Sequence, residues 1–243
     1  MNINLQRCLR ITHSLKNIHL FKMTRIPNVK YIISDFDGTL VNSMPIYTQC
    51  FLKTLNGIVN NPEALTKFYL RTAGQSLASQ IKTAMKKFSN KTIEDTTPLE
   101  AKFFEHYQQY SSIEVIQGAK EALEKIAANG IKIAVWSGTR TDILGEKLKQ
   151  GNLFVDYYLG NVPGNSQLVK GPALFQQIAD RFHISVDQLK QESLVVGDGI
   201  GDIEAGQKSG ARTVGLGPQR EQLRVAGADY IIETMADLPA LLE

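Results

Sequence analysis

Residues 31–40 read "YIISDFDGTL". A short apolar run, of the kind that fills a buried strand, leads directly into two aspartates flanking one phenylalanine. Like charges this close cost free energy unless a cation or a shared proton compensates them. Asp35 and Asp37 therefore mark either a turn, where Asp-Gly is common, or a place whose chemistry needs two acids. What the rest of the chain brings to the same edge decides between the two.

From residue 29 onward, Val- and Ile-rich runs alternate with amphipathic stretches. "VKYIIS", "IKIAVWS", "SLVVGD", "ARTVGLG" and "ADYIIE" read as buried parallel strands. "GAKEALEKIAANG", "TDILGEKLKQG", "PALFQQIADRF", "DIEAGQKSG" and "ETMADLPALLE" read as helices, several closed by Gly. Such alternation predicts an α/β fold with a doubly wound parallel sheet. Residues 44–116 break the rhythm, with helical patterns around 45–56, 62–71, 75–88 and 98–110 and almost no strand signal. The expected organisation is a core of 29–43 and 117–243, a helical insertion over 44–116, and an extension over 1–28.

Ligands of an open α/β sheet sit beyond the carboxyl ends of its strands, near the point where strand order reverses. Four segments deliver polar groups there: Asp35 and Asp37 after "YII", Ser137 and Gly138 after "IAVW", Asp198 and Asp202 after "LVV", and Lys170 just before the helix that Pro172 starts. Taken singly, Ser137 reads equally as a turn or helix cap, and Lys170 as a surface lysine. Together they describe a hard, oxygen-rich site suited to Mg²⁺ with waters and a phosphate oxygen. Asp35 would then act as a nucleophile on phosphorus. Asp37 would protonate the leaving alcohol and later take a proton from water. Lys170, Ser137 and backbone N–H groups would meet the phosphoryl charge.

Two other motifs fail on inspection. "DFDGTLVNS" begins like a calcium loop, but Leu40 and Ile46 stand where Gly and Glu are required. "GDGIGD" at 197–202 suggests a dinucleotide fingerprint, but Asp202 replaces the last Gly and two acids would repel a pyrophosphate.

The chain from about residue 29 to its end resembles the haloacid dehalogenase (HAD) superfamily, through "DFDGTLVNS", "VWSGT", "VKGPALF" and "VVGDGIGDIEAG". The resemblance implies a Rossmann-like core, with Asp35 as nucleophile and Asp37 as general acid/base. It implies Mg²⁺ held by Asp35, the backbone carbonyl of Asp37, and Asp198, with Asp202 and Thr39 in supporting places behind them. The insertion is similar to the superfamily's helical cap. Asp37 argues against dehalogenases, and the nearest likeness is to phosphoglycolate phosphatase-like hydrolases. Asn42 and Met44 depart from residues frequent in the family. Tyr47 stands where phosphomutases of the β-phosphoglucomutase type carry a His. In "LRTAGQSL" Arg71 and Gly74 resemble the specificity segment of such caps, with Arg71 reading equally as a cation at a helix end. Tyr47 joins them as a specificity candidate.

The expected function is Mg²⁺-dependent hydrolysis of a small phosphorylated metabolite through an aspartyl-phosphate. The alternatives are a sugar phosphomutase or a catalytically silent binding protein on the same fold. Composition excludes little else. The 243 residues are 43% hydrophobic with a formal net charge of +3, which argues for neither nucleic acid nor membrane as partner. Oligomeric state is not legible. Cys8 and Cys50 provide no disulfide framework, which fits a reducing compartment. Residues 1–34 hold six Lys/Arg and no acid, and "LQRCLRITHSLKNIHLF" has the loose helical periodicity of a mitochondrial presequence. The simpler reading is a tail, or a start at Met23, on a cytoplasmic protein.

Overall fold

Six parallel strands form one sheet in the computed structural model, which describes residues 25–72, 75–110, 112–161 and 170–242. They are β1 (Tyr31–Ser34), β2 (Lys132–Arg140), β3 (Tyr157–Asn161), β4 (Ser193–Gly197), β5 (Arg212–Leu216) and β6 (Tyr230–Ile232), in spatial order β3-β2-β1-β4-β5-β6. The chain winds outward from β1 through β2 to β3. It then returns to the other side of β1 and winds out through β4, β5 and β6. Strand order therefore reverses between β1 and β4, where Ser34 lies opposite Val196.

Both faces of this sheet are covered, which is why its strands are apolar at successive positions rather than alternate ones. One face carries Ile32, Ile133, Val135, Leu194, Val196 and Val214 against α5 (Ala119–Ala128), α6 (Thr141–Gln150) and the chain end around Leu238. The other carries Ile33, Ala134, Trp136 and Val195 against α7 (Pro172–Arg181), α8 (Val186–Glu192) and α9 (Ile200–Ser209). The doubly wound α/β core expected from the strand and helix rhythm is thus what forms. A further short helix, α10 (Arg220–Val225), links β5 to β6, and α11 (Leu238–Leu242) ends the chain. Among the described residues no helix is long and apolar enough to cross a membrane.

Between β1 and β2 lie α1 (Met44–Leu55), α2 (Pro62–Arg71), α3 (Leu77–Ser89) and α4 (Thr97–Gln108). They enclose an apolar cluster of their own, including Cys50, Phe51, Leu65, Ile81 and Phe103, which also takes in Ile143 of α6. The two chain segments joining this insertion to the core are stitched together. Asn42 N–H donates to Glu114 O at 2.8 Å, and Ile116 N–H donates to Leu40 O at 2.9 Å. Val41 bridges both Asp37 and Val115.

The packed chain begins earlier than the expected extension over 1–28 allows. Ile26 is 3% exposed within the core, and its N–H donates to Leu241 O at 2.7 Å. Residues 1–24, and with them the presequence-like stretch, lie outside the described residues.

Candidate active site

The turn after β1 is set by backbone geometry before any side chain acts. Leu40 N–H and Val41 N–H both donate to Phe36 O, and Gly38 adopts φ +86°. A side chain at Gly38 would be strained there. It would also collide with Asp198, because a Cβ would stand 2.3 Å from Asp198 Oδ2. Gly38 is thus the position that lets the β1 turn and the β4 end close on each other. Gly197 does the same for Asp202, whose Cγ a Cβ would meet at 2.3 Å.

This close approach gathers three carboxylates. Oxygens of Asp35, Asp198 and Asp202 lie within 4.8 Å of one another. Asp35 N–H is tied to Val196 O at 2.8 Å, which fixes where that side chain starts. The Lys170 ammonium bonds Asp35 Oδ1 and, at 2.7 Å, Asp202 Oδ1. Asp202 Oδ2 accepts from Gly199 N–H at 3.1 Å, so both of its oxygens are engaged. Asp198 Oδ1 accepts from Thr39 Oγ1 at 3.3 Å. Asp202, given a supporting place from the sequence, therefore stands inside the cluster, yet it is occupied by Lys170 and the Gly199 backbone.

One ammonium among three carboxylates, two of them buried and Asp198 half-buried, leaves an uncompensated negative charge. Burial and then Asp202 raise the Asp35 carboxyl well above the usual range, with Lys170 opposing. Burial and then Asp202 push Asp198 up to about 6. For Lys170, burial works against the charge, but Asp202 and Asp35 more than offset it and hold the ammonium protonated. An all-oxygen set with surplus negative charge fits a hard divalent cation.

Asp37 faces a different set of partners. Its Oδ2 accepts from Ser137 Oγ at 3.1 Å and from Thr139 Oγ1 at 2.9 Å, while Oδ1 is buried with no hydrogen-bond partner among the described residues. Ser137 Oγ also accepts Thr139 N–H at 2.9 Å. The Ser137 hydroxyl is thus spent on Asp37 rather than left open. Gly138 is exposed, at the point where the β2–β3 register shifts between Trp136 and Arg140.

From the insertion, Tyr47 on α1 reaches across to bond Thr139 Oγ1. Burial first, then Asp37, raises the Tyr47 phenol well above its ordinary value. Burial and Asp37 also raise Tyr69 and Tyr107, so three tyrosines of the insertion lie within electrostatic reach of Asp37. Arg71 is the exposed last residue of α2, and Gly74 lies outside the described residues. Thr139, 2% exposed, was not singled out from the sequence. Its signal was its place two residues after Ser137 on one strand, which puts both side chains on the same face.

The family model described as haloacid dehalogenase-like hydrolase matches residues 32–216. A pyrophosphatase PpaX of Bacillus mycoides is 26% identical over 220 residues, covering 88% of this chain and 97% of its own. A phosphoglycolate phosphatase of Rhodospirillum rubrum is 27% identical over 222 residues, covering 86% and 89%. A solved putative phosphatase from Clostridium difficile superposes with TM-score 0.71 at 21% identity, over 90% of this chain and all of its own. A putative β-phosphoglucomutase from Thermotoga maritima gives 0.66 at 18%, over 88% and 98%, a likeness of fold alone. With the family model covering both aspartates of the β1 turn and both of the β4 segment, the chain belongs to the haloacid dehalogenase-like hydrolases.

Proposed function

We propose that the protein is a Mg²⁺-dependent phosphatase that hydrolyses a small phosphate monoester through a phosphorylated Asp35. One observation carries the reading: two carboxylates two residues apart have separate surroundings. Asp35 belongs to the Lys170–Asp198–Asp202 cluster, whereas Asp37 is held by hydroxyls of β2. Such a division suits one acid that attacks and another that moves a proton.

Asp35 attacks phosphorus, the ester P–O bond breaks, and the departing oxygen takes a proton from Asp37. Asp37 then removes a proton from water, which attacks the phosphorus of the aspartyl-phosphate and releases Asp35 and inorganic phosphate. Lys170 holds Asp35 in place and sets a fixed positive charge beside it, and the exposed Gly138 backbone is the candidate contact for a phosphoryl oxygen. Mg²⁺ would be held by Asp35, Asp198 and the Asp37 backbone carbonyl, and when bound it offsets carboxylate and phosphoryl charge.

The relatives' names, pyrophosphatase and phosphoglycolate phosphatase, support a small leaving group, from phosphate itself to a hydroxy acid. Hydrolysis is favoured over transfer between sugar positions by Tyr47. Its phenol is committed to Thr139 and keeps its proton, so it is no substitute for a titrating His. The test is phosphate release from a panel of metabolite phosphates with Mg²⁺, for wild type and Asp35→Asn. Wild type should release phosphate from at least one alkyl phosphate, and Asp35→Asn should keep no more than a trace. An isomerised sugar phosphate without net release would establish a mutase. No turnover of any ester would leave a binding protein.

A further inference from the structure

The hydroxyls around Asp37 form a directed chain. The Asp37 carboxylate only accepts, so Thr139 Oγ1 spends its one proton on Oδ2 at 2.9 Å. Thr139 Oγ1 must then accept from Tyr47, making the tyrosine the donor at the head of the chain. Burial keeps that phenol protonated, so its proton stays available to Thr139. The Tyr47 ring is itself fixed edge-on by Tyr107, with centroids 4.8 Å apart, and by Phe103 at 5.4 Å. Ser137 closes the other side, donating to Oδ2 and accepting Thr139 N–H. Among the described residues both hydrogen bonds to the Asp37 carboxylate fall on Oδ2, leaving the buried Oδ1 without a partner there. A buried carboxylate oxygen left this way carries an unmet hydrogen-bonding demand, which a water O–H would meet by donating to it. Once Oδ1 carries a proton, it donates that proton to a leaving-group oxygen instead.

We propose that Tyr47 and Thr139 are positioning residues for proton transfer: the chain Tyr47–Thr139–Asp37 pins Oδ2 so that Oδ1 serves the leaving group. The inference rests on the reading of Asp37 as the proton carrier. Tyr47 comes from the insertion and Thr139 from the core, so the chain is complete only when both units contribute. Esters whose leaving group needs a proton depend on this arrangement. Esters with a good leaving group, such as p-nitrophenyl phosphate, do not.

The experiment compares single-turnover burst rates on p-nitrophenyl phosphate and on the alkyl phosphate that wild type turns over fastest. Tyr47→Phe removes only the hydroxyl and keeps the ring contacts. Thr139→Val removes the second link and Thr139→Ser restores it. Tyr47→Phe and Thr139→Val should each slow the alkyl ester roughly 10- to 100-fold, the scale on which misplaced reacting groups lose rate. Their rates on p-nitrophenyl phosphate should change little, KM should hold, and Thr139→Ser should recover most of the alkyl-ester rate. In an Asp37→Asn background, Tyr47→Phe should add no further discrimination. If Asp37→Asn discriminates between the esters while Tyr47→Phe and Thr139→Val slow both equally, the hydroxyls are structural and the positioning role is refuted. If Asp37→Asn itself slows both esters equally, the acid assignment falls and the positioning role falls with it. Should Tyr47→Phe fail to fold, the Val and Ser variants of Thr139 decide the same question.

Discussion

Replacing Gly38 by Ala separates what the β1 turn needs from what the carboxylate cluster needs. The new methyl meets two costs. At φ +86° an L-residue loses about 1–2 kcal/mol, partly offset by about 0.4–1 kcal/mol from a stiffer unfolded chain. The Cβ also stands 2.3 Å from Asp198 Oδ2 and 2.7 Å from its Cγ, roughly an ångström inside ordinary contact. The obstacle is the free end of a side chain, so Asp198 can swing aside without unfolding anything. Gly57→Ala is the matched control: its φ is +78° and nothing lies within 4 Å of the added carbon. Both variants should therefore lose only about 1–5 °C in melting temperature, given about 2–4 °C per kcal/mol for a chain of this size. They should differ in turnover. Displacing Asp198 by about an ångström should cost Gly38→Ala about 10²-fold in kcat/KM, with Gly57→Ala near wild type. Differential scanning fluorimetry and phosphate release measure the two effects. Wild-type turnover in Gly38→Ala would show that the observed position of Asp198 is not the working one.

Two further outcomes are expected. Without metal, the folded Asp198 holds its proton up to about pH 6, whereas in the unfolded chain it titrates near about 3.9. The fold is therefore penalised above pH 6 and relieved as pH falls through it. A divalent cation must displace that proton, so the rise in melting temperature on adding Mg²⁺ should be large at about pH 7.5 and shrink toward about pH 5. A shift constant across that range would refute a cation site at these carboxylates. Ile26→Ala, at a 3%-exposed position, should cost about 2–5 kcal/mol, or roughly 4–20 °C in melting temperature. An unchanged melting temperature would mean that the chain before Val29 contributes nothing to the core.

The β1, β2 and β4–β6 runs were readable because burial on both faces writes itself as unbroken apolar sequence. β3 was not, since it is an edge strand of five residues whose Tyr158 is exposed and whose Gly160 interrupts the pattern. α8 escaped for a related reason: seven residues contribute only Leu189 to the core, too little to show a period. At the site, Lys170 declared itself only through its company, and the structure does bring it onto Asp35. The separate surroundings of Asp35 and Asp37 were not legible, because residues two apart in sequence turn to partners 100 or more positions away. Ile26 was hidden too. A single apolar residue between Arg25 and Pro27 has no periodicity to betray its burial.

The stitched entry and exit of the helical insertion have an architectural consequence. Asn42 N–H to Glu114 O and Ile116 N–H to Leu40 O bring the two connections side by side, so the sheet sees the insertion as little more than a closed loop between β1 and β2. Loop length costs little once the ends are fixed, about 0.6 kcal/mol for each doubling. A different module with the same two ends could be spliced in without altering strand register or the three clustered carboxylates. Such a graft would have to cover Ile143 of α6, which the native cluster buries, and to replace Tyr47, the phenol that the native insertion lends to Thr139. The helical insertion is thus exchangeable as a block, while the clustered carboxylates stay where the sheet puts them.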